Sequence, residues 1–422
     1  MPSVRTNVVW ALVGNVGYAA CQWGVLVVLA KLTSPADVGR FALGLALAAP
    51  AMIFSGLLLR TLQATDARRE YPFGVYLGLR LMTTAAALVA VWVAVVLGGY
   101  DAATRALVMA IALAKAFESV SDVVFGLLQQ HENLRRVASS MLIKGILSLA
   151  AMASVLALGG GVLAATLAMA AAWGVVLAVY DVPAAGRLAS LRPAFADGRV
   201  GRLAWLAFPM GAMAGLQSLT TSVPRYAIEA SLGATSLGYF AALAYLLTAP
   251  YQPVLALWTA VSPRLARHFA HDVGAFRTLS LQTLALAAGL GVVTVAGATL
   301  FGETLLRVAY APAYAEHAPV LVWLAVAGGV GYLSSALGAS ITAARRLRCQ
   351  PVIAAVALAV SAGASSVLVP RYGLVGAAWA VLAACTTQAA SLAVIFTIVC
   401  AAPGKGREIR GVDAIAAEGG AA

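Results

Sequence analysis

The chain has 422 residues, 62% of them hydrophobic and 10% charged, with a mean hydropathy of +0.91 and a formal net charge of +12. Soluble domains carry roughly 25% charged residues, so this composition excludes a soluble globular domain and defines an all-α chain that crosses a membrane many times. The four cysteines (Cys21, Cys349, Cys385, Cys400) form no C-x-x-C pair and the four histidines are scattered, so neither a metal site nor a cofactor is expected.

In chain order, apolar runs between polar breaks predict about twelve crossings, near 7–32, 38–59, 74–97, 104–128, 137–158, 161–183, 204–232, 236–260, 278–300, 318–341, 351–369 and 374–400. The first run is too long for the apolar core of a cleavable signal. Pro50 falls inside the second run, where a missing N–H bends or interrupts a helix; it is a candidate hinge. Arg60 and Asp66 bracket the end of that run. Arg80 lies nearly two turns inside the third run, and Lys144 about two turns inside the fifth. Both are long enough to reach back to the interface, which is the alternative to a place in a cavity.

The fourth run holds the most informative group. Lys115, Glu118 and Asp122 share one helical face near the depth where charge is most costly. Such a stripe marks either a polar pathway or an ion pair that locks two helices. Arg225 and Glu229, four residues apart in the seventh run, are candidates for a gate or an intrahelical pair. Tyr226, Tyr245 and Tyr251 are candidates for stacking on a sugar ring or for anchoring at the interface. Asp66 and Asp181 read as isolated acids.

Two segments echo each other. Gly39-Arg-Phe-Ala runs on to Pro50, and Gly238-Tyr-Phe-Ala runs on to Pro250 and Pro253, two further candidate hinges. Each follows the first run of its own half. With six runs per half, the copies are expected to be parallel repeats about an axis normal to the membrane. The expected division is a six-helix lobe over 1–183, a basic linker over 184–203, a second six-helix lobe over 204–400 and a disordered tail over 401–422, the two lobes enclosing a central cavity.

Basic residues concentrate in alternate loops (Arg68, Arg69, Arg135, Arg136, Arg187, Arg192, Arg264, Arg267, Arg345, Arg346 and Arg348 among them). The opposite set holds few, such as Lys31, Arg40 and Arg105. This bias predicts that both termini are cytoplasmic, and it accounts for most of the net charge without nucleic acid as a partner. The outer loops are too short to carry a catalytic domain. There is no phosphate-binding loop for ATP and no nucleophile elbow, so no enzyme is expected.

Several segments, in order, resemble the polysaccharide-type flippases of the multidrug/oligosaccharidyl-lipid/polysaccharide (MOP) exporter superfamily. They are the Gly39 segment after Leu32-Thr-Ser-Pro-Ala-Asp37; Leu59-Arg-Thr-Leu-Gln-Ala-Thr-Asp66; Glu118-Ser-Val-Ser-Asp122 with Gly126-Leu-Leu-Gln-Gln130; Arg225-Tyr-Ala-Ile-Glu229 with the Gly238 segment; and Val369-Pro-Arg-Tyr-Gly373 running to Trp379. The resemblance implies a transporter of undecaprenyl-pyrophosphate-linked oligosaccharide in the bacterial inner membrane, working by alternating access between two lobes. Its partners would be that lipid-linked substrate, membrane lipids, and the polymerase and assembly proteins of a surface polysaccharide. On this reading Lys115, Arg80, Lys144 and, through the resemblance, Arg60 attract the pyrophosphate, while Glu118 and Asp122 couple an ion. The alternatives are a cation antiporter of the related multidrug and toxin extrusion (MATE) branch, and a non-transporting scaffold of a glycan assembly complex.

Overall fold

The computed structural model describes residues 4–66, 68–344 and 349–401. The loop arginines Arg345, Arg346 and Arg348 and the expected tail beyond 401 lie outside the described residues. The first half contains α1 (Val4–Leu32), α2 (Pro35–Gly56), α3 (Leu59–Thr65), α4 (Phe73–Leu97), α5 (Ala102–Gln130), α6 (Leu134–Ala157), α7 (Val162–Val176) and α8 (Val182–Gly186). The second contains α9 (Gly198–Leu246), α10 (Thr248–His271), α11 (Val273–Ala309), α12 (Pro312–Ala315), α13 (Ala318–Ala343) and α14 (Gln350–Ala401). No strand occurs among the described residues.

Nine helical stretches among the described residues are long and apolar enough to cross a bilayer. Two of these, 198–255 and 350–401, are more than twice the length one crossing needs. Each turns back on itself at a glycine with positive φ, Gly233 (φ 79°) and Gly373 (φ 59°), a conformation that costs a residue with a Cβ. The helix α5 falls outside the nine because every 18-residue stretch of it holds at least three charged residues. Counting it and the two doubled stretches gives the twelve expected crossings.

The prolines do less bending than their positions suggest. Pro50 is buried and α2 continues past it to Gly56. The break comes at Leu57 and Leu58, both left-handed (φ 50° and 49°), a region where a β-carbon is disfavoured. What Pro50 does is free the carbonyl of Ala46, four residues back; that oxygen accepts the hydroxyl of Tyr226 from α9. Pro250 sits in the first turn of α10, and Pro253, three residues on, in the second. The ring of Pro250 crowds the carbonyl of Leu246, and α9 ends at that residue.

The two halves meet mainly where α2 lies along α9. Near one end of that contact the echoing glycines cross. A β-carbon on Gly39 would sit 1.7 Å from the carbonyl oxygen of Ala234, and one on Gly238 would sit 1.9 Å from that of Pro35. Each glycine thus touches the residue four before the other, as a two-fold relation between the repeats requires. Trp23 donates to the hydroxyl of Tyr310 (3.3 Å), and Tyr310 donates to the carbonyl of Ala242 (3.0 Å), closing the same end. Farther along the helix pair, Gly211 and Gly215 receive Phe54 and Leu57.

Between α8 and α9 the chain runs without helix over 187–197, shorter than the expected linker because helix enters both its ends. Ala194 donates its backbone N–H to Gly74 (2.8 Å) and ties this segment to the start of α4. Asp197 caps α9, and its hydrogen bonds from Arg199 hold its carboxyl below the usual range.

Candidate functional site

One face of α5 meets α1, α3, α4, α6 and the end of α7 through charge. Lys115 and Glu118 pair at 2.7 Å. The other oxygen of Glu118 accepts the hydroxyl of Tyr18 at 2.7 Å. The Lys115 ammonium lies 5.3 Å from the centre of a Trp173 ring, close enough for attraction to the ring face. One turn further, Asp122 receives Arg80 at 3.1 Å and Arg60 at 3.4 Å. Arg80 also donates to Ser119 (3.2 Å), and Arg60 to Gln129 (3.1 Å).

Deeper in the same half, Lys144 donates to Asp181 at 2.6 Å and to the hydroxyl of Ser121. Ser140 donates to the second oxygen of Asp181 at 2.6 Å. Phe125 lies between Arg60 and Lys144, with their charges 5.3 and 5.0 Å from its ring centre. Asp181 reaches this place because Leu177–Asp181 forms one π-turn. Pro183 lacks the N–H that would continue the ladder, which widens the helix there.

Two expectations change. Arg80 and Lys144 do not reach back to the interface: they are 1% and 2% exposed, each held by a carboxylate. Asp181 is not isolated but fully buried in an ion pair. Its signal in the sequence is that it is the only acid between Glu132 and Asp197 and lies within a crossing, where a lone charge requires a partner. Asp66 likewise has company, accepting the backbone N–H of Glu70 and Tyr71. The serines and Tyr18 carried no such signal, because hydroxyls are common on helix faces.

Lys115, Glu118, Arg60, Arg80 and Asp122 line a cavity of about 320 Å³ that reaches Leu58 at the arginine-rich end. The reachable charges are Arg60, Lys115, Glu118 and Asp122, whose side chains are 26–36% exposed. With Arg80, Lys144 and Asp181, the network holds four cations against three carboxylates, a surplus of one positive charge.

Arg225 and Glu229 stand apart from it. No ion pair joins them among the described residues, although they are four apart. Arg225 instead lines a second cavity of about 770 Å³, enclosed by α9, α10, α13 and α14. Tyr251 also faces this cavity and stacks on Tyr332, with ring centres 6.0 Å apart. Tyr226 makes the contact to Ala46 already described.

The fold is shared with solved transporters, among them one of the MOP superfamily. A MATE family multidrug resistance transporter in its inward-facing conformation superposes with a TM-score of 0.69 at 15% identity, over 93% of this chain and 96% of that one. The lipid II flippase MurJ in an inward closed conformation superposes with a TM-score of 0.71 at 12% identity, over 93% of this chain and 87% of that one. By sequence, residues 4–269 match the family described as polysaccharide biosynthesis protein, and the chain belongs to that family. It is 26% identical over 380 residues to the capsular polysaccharide biosynthesis protein CapF of Staphylococcus aureus, covering 88% of this chain and 94% of that protein.

Proposed function

We propose that this protein moves undecaprenyl-pyrophosphate-linked oligosaccharide repeat units across the bacterial inner membrane for a surface polysaccharide. The observation that carries this is the charge network on α5, set in a cavity that reaches the arginine-rich end while the opposite end is closed by the Gly39–Gly238 crossing. A pyrophosphate head needs a wet cationic chamber to leave the interface. Lys115 and Arg60 are the cations that remain reachable, and they would take the pyrophosphate; Arg80 and Lys144 would hold the carboxylates in place behind them. Glu118 and Asp122 would then exchange their present cations as substrate or a coupling ion enters. Family membership and the likeness to CapF support the polysaccharide pathway, and the superposition on MurJ supports a lipid-linked cargo.

In this reading the two lobes rock about α2 and α9, linked through the basic segment 184–203, and both termini face the cytoplasm. Pro50 and the Leu246–Pro253 stretch sit where α2 and α10 would flex. Arg225 and Glu229 lie toward the closed end, where they would form part of an outer gate. The polymerase and assembly proteins would receive the product on the far side.

The test is a deletion strain fed labelled sugar. Loss of surface polymer with repeat units trapped on the cytoplasmic leaflet is the expected result. Complementation with Lys115→Ala should leave polymer at a tenth or less, on the order of what one lost charge-assisted contact removes. Normal polymer in the deletion strain, with no second flippase present, would refute the reading.

A further inference from the structure

The 770 Å³ cavity of the second half has a lining unlike that of the first. Among the described residues no aspartate, glutamate, lysine or histidine faces it. Apart from Arg225, its polar groups are mainly amides and hydroxyls, among them Gln217, Thr220, Tyr251, Gln252, Ser335 and Gln388. Gln388 donates to Gln217 across the cavity from α14 to α9 at 3.4 Å, and Tyr251 and Ser335 share a hydrogen bond of 3.3 Å. These are long bonds between groups with donors and acceptors to spare. Among the described residues the single charge is Arg225, whose buried Nε has no hydrogen-bond partner and whose guanidinium has no carboxylate beside it. A half-buried guanidinium whose Nε is buried without a partner is costly to leave without an anion. Tyr245 lines a small neighbouring pocket with Lys115.

A chamber walled by neutral donor–acceptor groups and a stacked tyrosine pair, with one unanswered cation, fits a polyhydroxylated ligand that carries one anionic group. It does not fit an organic cation, which needs a carboxylate or an open aromatic cage. We propose that this second chamber holds the glycan of the lipid-linked substrate: Gln217, Gln388 and Gln252 hydrogen-bond sugar hydroxyls, and Arg225 binds an anionic group of the same head. The inference rests on the flippase reading and assigns the second half a task distinct from that of the α5 network. The anion at Arg225 is either the pyrophosphate itself or an acidic substituent of the sugar; both offer the planar or forked oxygens that a guanidinium grips.

The test uses full-length protein in nanodiscs and two probes: undecaprenyl pyrophosphate, which lacks sugar, and lipid-linked repeat units extracted from the deletion strain. Wild type should bind the sugar-bearing lipid about tenfold or more tightly than the bare one. The double variant Gln217→Ala/Gln388→Ala should collapse that ratio toward one, while Lys115→Ala should weaken both probes and keep the ratio. Arg225→Gln weakening both probes assigns Arg225 to the pyrophosphate, and weakening of the sugar-bearing probe alone assigns it to the sugar. Arg225→Lys, which keeps the charge, should recover part of the loss and guards against misfolding. Equal binding of both probes by wild type, or an unchanged ratio in the glutamine variant, overturns the proposal and leaves flipping intact. A deletion strain that accumulates no lipid-linked units removes the flippase reading and this inference with it.

Discussion

Lys144 and Asp181 are almost wholly buried, at 2% and 0% exposure. A buried pair of this kind is held by geometry: Ser121 and Ser140 complete the hydrogen bonds that water would have made. Removing one partner leaves the other charged and unanswered. Lys144→Met is therefore expected to destabilise the protein by about 3–5 kcal/mol, read as a fall in the thermal midpoint in detergent, whereas Lys144→Met with Asp181→Leu should recover most of it. A double variant no better than the single one would show that the pair is not the source of the loss. Tyr226 is a milder case. Its hydroxyl answers the carbonyl that Pro50 leaves without an N–H, so Tyr226→Phe should weaken the contact between the halves by about 1 kcal/mol, while Pro50→Ala supplies that carbonyl with its own helical partner and makes the tyrosine substitution nearly silent.

At the scale of helices, the crossing of α2 and α9 is the feature most open to test. Gly39 and Gly238 approach so closely that an added methyl would overlap a backbone carbonyl at 1.7 and 1.9 Å. Backbone cannot step aside as a flexible side chain can, so the helices must part. Gly39→Ala and Gly238→Ala should each open the far end. With the native cysteines replaced, a cysteine at the fully buried Ala242 should react with a membrane-impermeant maleimide about tenfold faster in either variant, a shift of about 1.4 kcal/mol. The relation between the repeats makes a second demand: the two variants should behave alike. A large effect from one glycine and none from the other would break the two-fold account.

For the whole molecule, the alternation of loops rich and poor in arginine and lysine predicts sidedness. Cysteines placed at Asp101, between α4 and α5, and at Asp197, before α9, should label from opposite faces of the membrane, with Asp197 on the cytoplasmic side. Labelling of both from one face would reverse or break the proposed topology. The same scale explains why the chain tolerates seven charges in one half. Three charges on α5 and four from the segments around it, four cations and three carboxylates in all, are brought together so that each is answered within the bundle.

The crossing segments, the glycine echo and the charged stripe on α5 were legible in the sequence, because each rests on a local property: hydropathy over one bilayer thickness, a short repeated word, or residues three and four apart on one helix. Pairings between helices were not legible. That Arg60 and Arg80 share Asp122, that Lys144 meets Asp181, and that Pro50 serves Tyr226 depend on which helix lies against which, and residues 37–180 positions apart carry no mark of one another. The break at Leu57–Leu58, with no glycine or proline at either position, was hidden for the same reason: packing against Gly211 holds a conformation that those leucines would not choose alone. Sequence determined what crosses the membrane and where its charges enter. The tertiary structure decided which charges answer each other and left Arg225 without an answer, because burial in a packed bundle turns a solvated charge into one that must find a partner.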